Sequence, residues 1–398
     1  MRATSLKSTA TTRRKMNAPV SKVSLSYEQA KALRYVLFDQ SMRSAGHLGA
    51  TLAPPAQALE KLLFSARSFL EGRSEAPAWK TSYTESPASL QRQFCKIERW
   101  YNEFNPAFDL LLNHKIPAAF KLFQQCFANT QNVIKPQYPF TMIYVCHQAI
   151  RCAFYDKIGR HLSNFFLRHV AELCQVFLGT QHPLSIMSAG LARMDIFDFG
   201  LSIGTFLDHY CDYLGPLLGG SEVALGELFG ARGMTVSLME ATGMIGFYEA
   251  RPKLDGLTHK ARSRGLTTLH LEIEMASMLH RNKFREEALS LILEVRRSKE
   301  AQSSRYDFFY SGIILIQVLR GMKDYEGQIT AIRQLADFLA APRDTDDVTY
   351  SSELFMEVRH SSLILVLGML ERVLRNDGRI EEADSVQARS NAIMDDPS

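Results

Sequence analysis

Two distant stretches of this chain carry the same spacing. In NPAFDLLLNHKIPAAFKLFQQCF, residues 105–127, Ala107, Leu110, Ala119, Phe123 and Cys126 are separated by 3, 9, 4 and 3. In LHLEIEMASMLHRNKFREEALSLILEVRRS, 269–298, Ala276, Leu279, Ala288, Ile292 and Val295 repeat those separations. Steps of 3 and 4 keep residues on one helical face, while a step of 9 crosses a turn. An alanine on each helix lets two backbones approach, and the larger residues fill the groove beside them. The pattern therefore demands an antiparallel helix pair. His114 aligns with Lys283 in the exposed turn, and Cys126 aligns with Val295 at an apolar packing site. Both read as parts of a fold rather than as a reactive pair. Pro117 opens the second helix, where its missing N–H costs nothing.

The same outline recurs with more drift. LILVLGMLERVLRNDGRIEEADS keeps Leu374 and Ala383 nine apart but puts Glu371 where a small residue is expected. YDFFYSGIILIQVLRGMKDYEGQITAIRQL has the outline with a glutamine at the small site. Helix pairs are thus expected at 100–128, 266–299, 304–340 and 350–394. Upstream, SYEQAKALRYVLFDQS opens with Ser26 and Gln29 in a capping-box arrangement. PPAQALEKLLFSARSFLEG begins with proline and ends at Gly72, the expected asymmetry of a helix. Gly179 ends one strongly apolar helix, and His182-Pro183 starts the next. Segments 72–86 and 341–352 read as loops. The glycine-rich segment 215–233 reads either as a short helix between loops or as a junction between helical units. Only KVSLS alternates like a strand.

These helix pairs resemble the tetratricopeptide (TPR) repeat. The expected fold class is all-α: a TPR-like helical-hairpin solenoid with an atypical N-terminal helical section. Residues 1–25 are expected to form a disordered basic tail. Residues 26–214 form the N-terminal helical region, which includes the pair at 100–128, and residues 234–394 form the C-terminal repeats. Beyond single repeats, WYNEFNPAFDLLLNHKIPAAFKLFQQC and LGTQHPL resemble segments of fungal proteins of the cryptic-loci-regulator type. That family joins a short N-terminal DNA-binding module to a long TPR-like region. The module's Trp, Lys and Leu-Tyr pattern is missing from residues 1–90, so the chain resembles the helical part without the reader. The resemblance implies a role in transcriptional regulation and a nuclear location, with the cytoplasm as the alternative.

Charge narrows the partners. The formal net charge is +4 over 398 residues, but residues 1–27 hold Arg2, Lys7, Arg13, Arg14, Lys15 and Lys22 and no acid. The remaining body carries 40 basic against 42 acidic residues. It has no general positive excess for phosphate binding. The Ser/Thr-rich tail MRATSLKSTATTRRK reads as a disordered leader. A nuclear-import or nucleic-acid patch and an organelle transit peptide are the alternatives. Any nucleic-acid binding through it is expected to be weak. No apolar run approaches the ~20 residues needed to span a bilayer. Six cysteines without a CxxC pair read as free thiols.

Several motifs suggest chemistry and are outweighed. GLSIG, 200–204, matches a nucleophile elbow around Ser202, with Asp255 and His259 downstream in the required order. The elbow needs a central sheet, and small residues facing a neighbouring helix explain the pentapeptide as well. DFG, 198–200, lacks every other kinase element, and DTDDV, 344–348, lacks the glycine and terminal glutamate of a calcium loop. Cys146, His147 and Cys152 have no second cluster to complete a zinc site. Asp195/Asp198 and Asp208/Asp212 read as solvated or helix-end acids. No catalytic, cofactor-binding or metal-ligating residue is assigned. The expected function is a non-enzymatic protein–protein interaction scaffold that holds a protein partner in a helical groove. A serine hydrolase using Ser202 and a weak nucleic-acid binder are the runners-up.

Overall fold

The computed structural model describes residues 54–74, 87–112, 115–154, 156–194, 200–218, 220–341 and 351–395. The basic tail, KVSLS, the capping box at Ser26, His114, Asp195, Asp198 and DTDDV lie outside them. Every regular element among the described residues is a helix: α1 (Pro54–Ser74), α2 (Pro87–Asn102), α3 (Asn105–Leu112), α4 (Ile116–Asn129), α5 (Gln131–Ile134), α6 (Thr141–Ala153), α7 (Asp156–Leu178), α8 (Pro183–Arg193), α9 (Gly200–Leu217), α10 (Glu222–Ala241), α11 (Phe247–Ser263), α12 (Leu269–Arg281), α13 (Arg285–Arg297), α14 (Lys299–Ser303), α15 (Arg305–Met322), α16 (Tyr325–Ala340), α17 (Ser351–Asn376) and α18 (Ile380–Asp395). The fold is helical and repeat-like.

The repeated spacing is written into the backbone. In α12/α13 the Phe284 N–H bonds the Leu279 carbonyl at 3.0 Å, and Lys283 sits in the left-handed region at φ 71°. This bond from just beyond a left-handed residue back into the last turn is how a helix ends while satisfying its orphan carbonyls. The α15/α16 turn repeats it, with Asp324 N–H on the Leu319 carbonyl at 3.0 Å and Lys323 at φ 62°. So does α17/α18, with Arg379 N–H on Leu374 at 2.9 Å and Gly378 at φ 79°. In α3/α4, Lys115 N–H bonds the Leu110 carbonyl at 2.8 Å. Turns this short between packed helices reverse the chain. Nine residues beyond each of these carbonyls lies a buried side chain: Ala119, Ala288, Gln328 and Ala383. Glu371, standing where a small residue was expected, is half-buried and pairs with Arg375 at 2.9 Å.

The pairs pack on their sequence neighbours. The first helices of successive pairs form a row in which α10 touches α12, α12 touches α15 and α15 touches α17. The second helices α11, α13 and α16 each also touch the first helix of the next pair. At the other end of the row α10 packs on α6 and α9. The glycine-rich segment 215–233 is not a short helix between loops but the junction of two long helices. It spans the end of α9 and more than half of α10. Gly233 has a packing reason: a Cβ there would collide with Leu271 of α12.

The N-terminal section is built differently. Phe104 is fully buried and meets Trp100, Phe108, Phe123, Phe127 and Phe166, with ring centroids 5.5–6.4 Å apart. His182 caps α8 by accepting the Leu184 N–H on Nδ1 at 3.2 Å, and Gly179 at φ 87° closes α7. The helix boundary legible at Gly179 and His182-Pro183 is therefore the real one.

Candidate functional site: the inner side of the helical row

Helix α2 contacts α5 and α6 at one end of the row and α17 at the other. It therefore bridges the two ends of the row formed by α6, α10, α12, α15 and α17. Its amphipathic pattern dictates this. Phe94, Ile97, Trp100 and Tyr101 recur at helical spacing and are all buried. Tyr101 packs edge-on against Tyr144 of α6 at 5.5 Å, and the Arg151 guanidinium lies 4.4 Å over the Tyr101 ring.

Polar groups gather where α2 meets the row. His270 and Glu274 lie one turn apart on α12, and Asp307 and Tyr310 lie one turn apart on α15. His270 Nε2 is 3.3 Å from Asp307 Oδ1, and the Tyr310 hydroxyl donates to Glu274 Oε1 at 3.0 Å. Glu227 stands on α10 one turn before Gly230, which faces the His270 side chain. Glu98 of α2 comes within electrostatic reach of Glu227, His270 and Asp307, and hydrogen-bonds Tyr144. Burial and the charges of Glu227 and Asp307 push the Glu98 carboxyl up to about 8. Burial also raises Glu227, to which Asp307 adds and against which His270 works. For His270 burial alone acts downward, but Asp307, Glu227, Glu98 and Glu274 outweigh it and raise the imidazole.

None of these acids was singled out from the sequence, yet a signal was present. Glu274 interrupts the otherwise apolar face of LHLEIEMASML, and Asp307 stands among aromatic residues in RYDFFY. A charged residue on a face that must be buried is expensive unless it has a partner.

The residues that were singled out are dispersed or structural. Ser202 lies in the first turn of α9, and Gly204 admits Met239 of α10, since a Cβ there would sit 2.6 Å from its Cε. Asp255 and His259 are exposed on α11. Cys146, His147 and Cys152 are buried, and His147 Nε2 bonds Thr235 Oγ1 at 2.7 Å. Burial holds His147 down at about 3 and pushes the Cys152 thiol up to about 12. Cys126 is buried too, with its thiol on the Glu103 carbonyl at 3.2 Å. Asp208 and Asp212 face Arg232 of α10, at 3.8 and 2.8 Å. Among the described residues no group of three or more His, Cys, Asp or Glu side chains could hold a metal ion. No described helix is long and apolar enough to cross a membrane.

No protein-family model, curated protein or solved structure matches the chain.

Proposed function

We propose that the chain is a non-enzymatic protein–protein interaction scaffold: a TPR-like array whose inner side grips a helical segment of a partner. The observation that carries this reading is the seating of α2. A helix lies across the row, with Phe94, Ile97 and Tyr101 as anchors at i, i+3 and i+7. Helix-in-groove recognition uses this spacing, and repeat arrays use their long inner surfaces in this way. A setting in transcriptional regulation in the nucleus rests on the sequence resemblance alone.

The test is affinity capture of a partner by the full chain, followed by hydrogen exchange on the purified complex. Changed protection is expected in α2, α10, α12 and α15. Changes confined to α11, α13, α16 and α18 would move the docking surface to the outer helices. Ester hydrolysis that vanishes in Ser202→Ala would replace the reading with the hydrolase.

A further inference from the structure

The side of the row that meets α2 carries more acid than base. Glu227, Glu274 and Asp307 come from three helices, and His270 stands among them with its imidazole raised by their charges. Asp307 is 7% exposed, and its Oδ1 accepts no hydrogen bond. His270 Nε2 lies 3.3 Å from it without making an aligned hydrogen bond. Into these surroundings α2 brings a further acid, Glu98. Half-buried beside other carboxylates, this carboxyl is pushed towards keeping its proton. Thus α2 matches the row in shape and opposes it in charge.

Building on the reading that the inner side holds a helix, we propose that the groove formed by α6, α10, α12, α15 and α17 receives a partner helix carrying lysine or arginine where α2 carries Glu98, with α2 as its displaceable occupant. The partner's pattern follows from that of α2. It is apolar at the positions of Phe94, Ile97 and Tyr101, and cationic one residue after the second of these. The cation would face Glu227 and Asp307 with the complementary sign. It would also bring a charged donor towards the Asp307 carboxylate, where charge-assisted bonds are the strong ones. Seating such a helix would not require a proton to be held on Glu98.

In its native form α2 makes stability depend on pH. The folded value of Glu98 lies above the unfolded one, so its contribution is fully present below the ordinary 4.5. It is lost as pH rises from there through about 8. Glu98→Gln should remove that part of the slope.

The first test compares full-length Glu98→Lys and Glu98→Gln by thermal melting at pH 7.5 and low salt. Glu98→Lys is expected to melt higher than Glu98→Gln, with the gap closing in a Glu227→Gln/Asp307→Asn background. A Glu98→Lys chain that melts lower, or fails to fold where Glu98→Gln folds, overturns the cation preference. The second test titrates a labelled peptide of residues 87–102 into the full-length chain. The peptide bearing Glu98→Lys should bind about tenfold tighter than the one bearing Glu98→Gln, with a loss of preference at high salt. Equal binding overturns the cation preference and leaves helix docking standing. Should neither peptide bind while Glu98→Lys stabilises the chain, α2 is a fixed strut and the docking reading itself fails.

Discussion

The array α10–α18 and the section α1–α9 are both all-helical, yet they hold together by different means. In the array the same turn recurs, and at Lys283, Lys323 and Gly378 a buried residue follows at the same distance. Its packing depends on matched spacing, and a small residue at Ala288 or Ala383 sets how closely the two helices approach. In the N-terminal section the centre is a ring cluster around Phe104, drawn from α2, α4 and α7. There bulk rather than spacing fills the core. A repeat tolerates drift at single positions because neighbouring pairs supply the rest of the contact. A shared aromatic centre has no such redundancy.

The largest effect is therefore expected at Phe104. Phe104→Ala should cost about 3–5 kcal/mol, the usual range for emptying a phenylalanine site. Because α2 belongs to the ring cluster and also lies on the row, the loss should appear as one transition. Helical circular dichroism and tryptophan fluorescence should fall together. Two separated transitions would show that the regions are energetically independent.

A smaller effect is expected where spacing governs. Ala288→Leu should overpack the α12/α13 contact, at about 1–3 kcal/mol. Ala119→Leu probes the same position in α3/α4, whose alanine is equally buried. Denaturant midpoints compare the two. Near-wild-type stability of Ala288→Leu would remove the repeat register as the organising feature of the array.

The smallest effect is at the turns. Lys283 and Lys323 hold a left-handed backbone that costs a side-chain-bearing residue roughly 1 kcal/mol. Lys283→Gly and Lys323→Gly should each stabilise the chain by up to about that amount, in the same melting assay. Gly378→Lys should do the reverse at the equivalent site. A destabilised Lys283→Gly would mean that the lysine side chain does more than occupy the turn.

What was legible in the sequence follows from the range of the forces involved. Leu279 and Ala288, Leu110 and Ala119, and Leu374 and Ala383 could be aligned because a helix pair is specified within about thirty residues by periodicity and turn chemistry. His182-Pro183 and Gly179 were legible for the same reason. The segment 215–233 was harder to read because glycine usually weakens a helix. In α10 that cost is offset by the close approach of Leu271 to Gly233, which no local pattern reveals. The position of α2 was not legible at all. Its partners on α6 and α17 come far downstream in the chain, and no local periodicity relates them to it. Glu98 accordingly looks in sequence like any helical acid.

The reach of α2 from one end of the row to the other also fixes an order of events during synthesis. Helix α2 is complete at Asn102, but α17 begins only at Ser351. At ordinary ribosomal speeds the gap is on the order of tens of seconds. For that time the side of α2 that meets α17 has no seat, while each hairpin of the array can form as soon as it emerges. The nascent chain therefore spends most of its translation with a vacant cradle under construction and an apolar helix waiting beside it. A passing segment of another polypeptide would find its opportunity in that interval.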